Sequence, residues 1–413
     1  MPPEAVRPPW KGGFSWKVDG KGNPWVVINC QLEGAKVYFP CKDHPGDEPN
    51  EGADLMITVP KGLTVAGPGL LQSVKTKKSK ATFHWKTNYT ISNYCILFNI
   101  GKYDIVKRTY QTIDGNNVPM AFYVLEEDKA MAEKILDLRE RDTRILEKYF
   151  GEYPWAKEKI GIAQVPNPGM EHQTMITYGD ATGKFQFSKV GAEDYSANLF
   201  HEFAHEWFAN KVTNKDWAHM WIQEGITTYS EALFCREAAG ERGYDSMMVM
   251  FKKANRNVKP LVQGDAVNSA DTYTGDIYTK GAFFMHTLRY VLGDEVFFKT
   301  LKQLATDPQY TYDNFVNTDD VEQLFSKQSG KNLKPLFDFY LRTTSKLEIN
   351  IMQTGFQEYT INLPNLPMTL PLDILTDEGI QHVALKEKFF VIKSQTAPVV
   401  DAKGYYLKTV TTD

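Results

Sequence analysis

The chain has 413 residues, 42% apolar and 24% charged, an ordinary globular balance that can bury a large core in about two to four domains. Net charge is −4 and no basic run with interleaved aromatics stands out; the patch at residues 75–80 reads as a solvated loop, so no nucleic-acid partner is expected. The longest apolar stretches fall far short of a membrane span, which makes the expectation a soluble chain with no membrane partner.

Up to about residue 127 the chain is rich in Gly, Pro, β-branched and aromatic residues. Residues 25–28, 53–59 and 81–85 read there as strands between turn signals. From Glu127 the pattern turns helical, and residues 129–150 carry an apolar stripe at Ala132, Ile135, Leu136, Leu138, Ile145 and Leu146. A strand-like piece at 159–165 ends at Pro166-Asn167-Pro168-Gly169. Helices follow to about Arg342, the first two centred on His201 and Glu224. After Thr344 the period returns to two at 347–351, 359–363 and 389–392, which predicts a small antiparallel β-domain. The expected division is 1–127, 128–343 and 344–413.

Cys30, Cys41, Cys95 and Cys235 are scattered with no CxxC pair. That is neither a disulfide scaffold nor a structural zinc framework. Free buried thiols are expected, ahead of a Cys30–Cys41 or Cys41–Cys95 bridge. Met1-Pro2-Pro3-Glu4 opens without an apolar signal region, which leaves the compartment open because the amino end can have been trimmed. Asn88-Tyr89-Thr90 fits a glycosylation sequon too short to carry weight.

The chemistry concentrates at His201-Glu202-Phe203-Ala204-His205, followed after eighteen intervening residues by Glu224. A helix turns once per about 3.6 residues, so His201 and His205 share a face and can reach one cation at about 2.0–2.1 Å. Glu224 supplies the third ligand that a catalytic zinc needs. Glu202, beside the first ligand, points off the ligand axis toward a water whose pKa zinc lowers to about 7, and takes its proton. Both segments are apolar: Asn198-Leu199-Phe200 and Trp207-Phe208 flank the motif, and Met220-Trp221-Ile222 precedes Glu224, where a lone carboxylate is costly without a cation. One Zn²⁺ per chain is the expected cofactor.

These motifs, with three others in matching order, resemble the M1 family of zinc aminopeptidases, gluzincins related to aminopeptidase N and leukotriene hydrolase. Gly169-Met170-Glu171-His172 looks like the family's exopeptidase motif. Tyr278-Thr279-Lys280-Gly281-Ala282 is similar to the segment that supplies its catalytic tyrosine. Phe39-Pro40-Cys41-Lys42-Asp43-His44-Pro45 is close to the amino-domain signature. The resemblance covers most of the chain. It implies a multidomain α+β fold: a partial β-rich amino-terminal domain, a thermolysin-like, mainly α catalytic domain and a small C-terminal β-sandwich. It also implies that about a hundred residues are missing before Pro8-Pro9-Trp10, together with the C-terminal helical domain of many members.

The resemblance implies an aminopeptidase acting on peptides with a free amino terminus. Glu171, Glu224 and Gln31 would bind the substrate ammonium, and Tyr278 would stabilise the oxyanion. A buried ammonium needs charge-assisted partners, which suits Glu171. Gln31 is a neutral amide where many members have Glu, and Glu33 two residues on is a candidate substitute. Tyr278 is preferred to Tyr273, five residues earlier, on its motif alone. His172 departs from the family's usual Asn, and as neutral imidazole it can serve the amide's hydrogen bonding. Glu231, seven residues past Glu224 on one helix, reads equally as a carboxylate orienting a ligand histidine or as a solvated one. A thermolysin-like endopeptidase shares HExxH and the downstream Glu but has no use for Glu171. A non-catalytic binding module has no use for a full set of base, ligands and tyrosine. Nothing in the sequence sets the oligomeric state or the preferred first side chain.

Overall fold

The computed structural model describes residues 5–6, 11–31, 34–180 and 182–413. Glu33 and the segment Pro8-Pro9-Trp10 lie outside the described residues. Strand β1, Pro24–Asn29, sits between Lys11–Val18 and Asn99–Gly101 in a five-stranded sheet. Its Trp25, Val26, Val27 and Ile28 are all buried. Both faces are therefore covered, and the sequence reads as a continuous apolar run instead of an alternation. The other expected strands appear as Ala53–Pro60 and Lys80–Thr87, which join Leu70–Lys77 in a three-stranded antiparallel sheet.

A mixed sheet forms the floor of the central region. It contains β2 (Tyr103–Gln111), β3 (Asn117–Leu125), β4 (Ile160–Gln164), β5 (Gly169–Met170) and β6 (Ile176–Tyr178), in the order β5-β6-β4-β3-β2. β3, β4 and β6 are parallel, while β2 and β5 flank them antiparallel. A parallel pair needs a crossover, and α1 (Ala132–Phe150) supplies it between β3 and β4. A 3₁₀ turn, Glu126–Met131, precedes α1 and takes up the start of the helix expected from residue 129. The sheet runs across the division expected at residue 127. Strand periodicity shows that a strand exists; it does not show which sheet it joins.

Over the sheet lie α2 (Ala197–Ala204), α3 (Trp221–Ala254) and α4 (Asp276–Leu292). α3 breaks helical geometry at Ala239 and Gly240. Near its start, α3 crosses α4 where Gly225 faces Gly281. A Cβ on Gly225 would stand 2.7 Å from the Gly281 Cα, so the backbones meet at a distance that only glycine allows. Glu224 precedes one glycine, and Tyr278 lies about one turn before the other. This crossing brings the two side chains to the same place.

Residues 347–412 form two facing sheets. One has the order Phe389–Lys393, Glu358–Asn362, Leu347–Gly355, Lys408–Thr412; the other runs Gly379–Leu385, Leu370–Thr376, Val399–Val400. Leu347, Ile349, Ile351, Ile361, Leu370, Leu372 and Ile374 fill the space between. The sandwich is not purely antiparallel, because Lys408–Thr412 pairs parallel with Leu347–Gly355. All four cysteines are free, with Cys30, Cys95 and Cys235 buried and Cys41 half-buried. No helix among the described residues is long and apolar enough to cross a membrane.

Widening the α3–α4 crossing should be felt directly. Gly281→Val is expected to cost about 1–3 kcal/mol by overpacking and to lower the thermal midpoint by several degrees. An unchanged midpoint would show that the helices tolerate separation.

Candidate active site

Helix α2 buries Leu199, Phe200, Phe203 and Ala204 and turns His201 and Glu202 to a cleft. The helix ends at Ala204, but His205 keeps helical dihedrals, φ −61° and ψ −18°, and its N–H donates to the His201 carbonyl at 3.3 Å. The i,i+4 spacing therefore survives the helix end. Helix α3 enters surrounded by core, with Trp221, Ile222, Gln223, Glu224 and Ile226 all buried.

The three expected ligand atoms form a triangle. His201 Nε2 lies 3.1 Å from His205 Nε2, and Glu224 Oε2 lies 3.5 Å from the first and 3.3 Å from the second. Bonds of about 2.0–2.1 Å at tetrahedral angles place ligand atoms about 3.3–3.4 Å apart, so the triangle has the edge a zinc ion requires. Glu224 Oε2 is buried with no hydrogen-bond partner, a costly state for a carboxylate oxygen that no cation meets.

Each imidazole is oriented from behind. His201 Nδ1 meets Glu231 Oε1 at 2.8 Å, and His205 Nδ1 meets the Phe208 carbonyl at 2.8 Å. With Nδ1–H donating to these oxygens, both Nε2 lone pairs face the centre. Tyr195 in turn donates to Glu231 Oε2 at 3.3 Å. Of the two readings of Glu231, the geometry matches the orienting one. Glu202 lies on the cleft floor, where burial pushes its carboxyl up to about 8 against the pull of His201. Its carboxylate comes within 4.8 Å of Glu171 and His205 ligand atoms.

Gly169 explains how Glu171 arrives beside Glu202. Its φ is +129°, and a Cβ there would stand 2.8 Å from the Thr177 carbonyl and 3.0 Å from Glu202 Cγ. Only glycine lets β5 pass so close to the carboxylate. Glu171 Oε1 accepts from Tyr94 at 3.1 Å and faces Gln223 Nε2 at 3.5 Å, while burial raises its carboxyl. Asn210 Nδ2 donates to the Glu171 carbonyl at 2.7 Å and to Glu206 Oε2 at 3.1 Å. Glu206 also accepts from Trp155 Nε1 at 2.6 Å and from the Thr174 N–H at 2.9 Å. Tyr94, Glu206 and Asn210 escaped the sequence reading. The one available signal was a charged residue, Glu206, on the apolar face beside His205.

Gln31, just past β1, reaches the same cleft. Its Nε2 donates to Glu224 Oε1 at 3.1 Å and to Tyr278 Oη at 3.2 Å, and its Oε1 accepts from Tyr273 at 3.0 Å. The oxygen expected to be open for an ammonium is thus shared with a phenol, which leaves one further lone pair. The preference for Tyr278 over Tyr273 separated two residues that the structure joins: their hydroxyls are hydrogen-bonded, and the Tyr278 ring stacks on His201 at 5.9 Å. His172 is buried behind the cleft, held neutral by burial with its pKa down at about 3, and donates from Nε2 to the Cys30 carbonyl at 3.2 Å. It ties the Glu171 segment to the residue before Gln31. The cleft itself has a volume of about 800 Å³, a common size for a small-ligand site.

Residues 136–340 match the peptidase family M1 domain. Endoplasmic reticulum aminopeptidase 1 of Homo sapiens is 24% identical over 400 residues, covering 92% of this chain and 41% of its own. The structure of Legionella pneumophila aminopeptidase A in complex with aspartic acid superposes with a TM-score of 0.75 at 18% identity, over 96% of this chain and 48% of that one. A mutant M1 zinc metallopeptidase from Deinococcus radiodurans, bound to the substrate Tyr-Ser-Ala, gives 0.65 at 22% identity, over 84% and 74%. The chain spans less than half the length of the first two. At these identities the structural likeness establishes the fold: β-rich start, helical centre and β-sandwich end.

The triangle can be tested without any substrate. Metal analysis of purified protein is expected to give about one zinc per chain, and His205→Ala should lose it. Full zinc retention in that variant would reassign the ligands.

Proposed function

The chain belongs to peptidase family M1, and from that premise we propose that it is a zinc aminopeptidase removing residues from the amino termini of peptides. The observation that carries this reading is the convergence of two sites in one cleft. The His201–His205–Glu224 triangle suits zinc, and Glu171 and Gln31 offer an ammonium its partners beside it. Zinc, when bound, supplies Lewis-acid polarisation of a carbonyl and lowers the pKa of a water.

The chain's own residues do the rest. Glu202 takes the proton of the attacking water and passes it on to the leaving amine. The Tyr278 phenol, kept protonated by burial, donates to the carbonyl oxygen as negative charge develops there. The Gln31 and Tyr273 contacts hold that hydroxyl in place. Among the described residues strand β5 pairs in its sheet with β6 alone, so its other edge can accept an extended substrate backbone. Glu171, Gln31 and Glu224 Oε1 receive the α-ammonium and thereby set the cut one residue from the end. The relative solved with Tyr-Ser-Ala supports a peptide of this kind as substrate.

Glu202→Gln should abolish turnover while zinc stays bound, because an amide cannot accept the water's proton. A variant with full activity would remove Glu202 from the mechanism. A separate assay concerns the ammonium. Amino-acid arylamides with a free amine should be cleaved and their N-acetylated partners should be poor substrates. Glu171→Ala should impair the free-amine series by about 1.5–3 kcal/mol in kcat/KM, the worth of a charge-assisted contact. Equal cleavage of acetylated and free substrates would instead indicate an endopeptidase.

A further inference from the structure

The loop after α2 serves two cavities. Ala209 holds φ at +146°, a conformation L residues avoid. Beyond it, Asn210 reaches the Glu171 carbonyl while the next side chain, Lys211, lines a different cavity of about 700 Å³. Lys211 is only 7% exposed. Its ammonium lies 5.2 Å from the centre of the Tyr312 ring and has neither a hydrogen bond nor an ion pair among the described residues. Burial pushes its pKa down to about 8, against a distant pull from Glu152. A largely buried ammonium whose protein contact is an aromatic face, and whose remaining surface opens on the cavity, is under-compensated.

The opposite sign is present in the same cavity. Asp114, Glu152 and Asp313 line it. Glu152 spends Oε1 on Thr112 and Asn116, which leaves Oε2 for another donor. Asp114 and Asp313 are exposed at the rim, with no side-chain hydrogen bond among the described residues. Tyr89 and Tyr312 stack at 6.0 Å to give the cavity an apolar wall.

We propose that this second cavity binds a small zwitterion, a free α-amino acid or short peptide, with its carboxylate on Lys211 and its ammonium toward Asp114, Glu152 and Asp313. A dianion such as phosphate meets two cations, Lys157 and Lys211, against three carboxylates, so its net interaction is poor. A simple cation is met by Lys211, and a neutral molecule leaves that ammonium unpaired. Only a ligand carrying both signs satisfies both walls, and the tyrosine pair offers its side chain an apolar contact. The cavity volume is within the usual range for such ligands.

Titration calorimetry with L-phenylalanine tests this. Wild-type protein is expected to show a binding event that Lys211→Met weakens about ten- to a hundredfold, the value of one charge-assisted contact. Lys211→Arg should largely retain it, and Glu171→Ala should leave it intact, which separates it from the cleft. Asp313→Asn and Asp114→Asn alter only rim residues and leave the fold alone; together they should weaken the same event several-fold. Acetate should compete weakly and inorganic phosphate less than acetate. The proposal is overturned if Lys211→Met, folded by its thermal midpoint, binds phenylalanine like wild type. It is equally overturned if the rim pair changes nothing, if Glu171→Ala removes the event, or if phosphate displaces phenylalanine better than acetate does.

Discussion

Glu224 is buried beside two imidazoles at a glycine-to-glycine helix crossing, and a charge so placed costs several kcal/mol unless it is compensated. The arrangement around it follows from that cost. Oε2 faces the two Nε2 atoms without a hydrogen bond, Oε1 accepts from the Gln31 amide, and no other polar group among the described residues is offered to Oε2. The Gly225–Gly281 contact makes the placement rigid, since the helix carrying Glu224 cannot rotate without driving backbone into backbone. The same contact sets Tyr278 over His201. One close approach therefore fixes both Glu224 and the Tyr278 phenol.

Around this centre, three segments distant in sequence are pinned to one another by buried polar bonds. His172 holds the Cys30 carbonyl and with it the approach of Gln31; Asn210 holds the Glu171 carbonyl; Glu206 holds Asn210, Trp155 and the Thr174 N–H. These side chains do not reach the triangle. They place the backbone from which Glu171 and Gln31 extend. His172 thus serves where an amide was expected, through a single ring nitrogen donating to a carbonyl.

The same loop ties this network to the second cavity. Asn210 and Lys211 are adjacent, so the charge balance in one cavity and the position of Glu171 in the other share one strained stretch of backbone.

Much of the centre was legible because its spacing is local. His201 and His205 lie one helical turn apart and Glu202 lies beside the first of them, so these three follow from helix period, while Glu224 was read from the spacing of the motif and its apolar setting. Gly169 and Glu171 were legible as a motif, and the strands at 25–28, 53–59 and 81–85 as apolar runs between turns. Only the tertiary structure decided that β2 and β3 join the central sheet across residue 127, that Tyr273 stands with Tyr278 and Gln31, that Glu231 faces His201, and that Lys211 is enclosed without a counter-ion. Each of these depends on contacts between residues far apart in the chain or on loop geometry with no period. A periodic pattern reports which face of an element is buried; it carries no record of what that face is buried against.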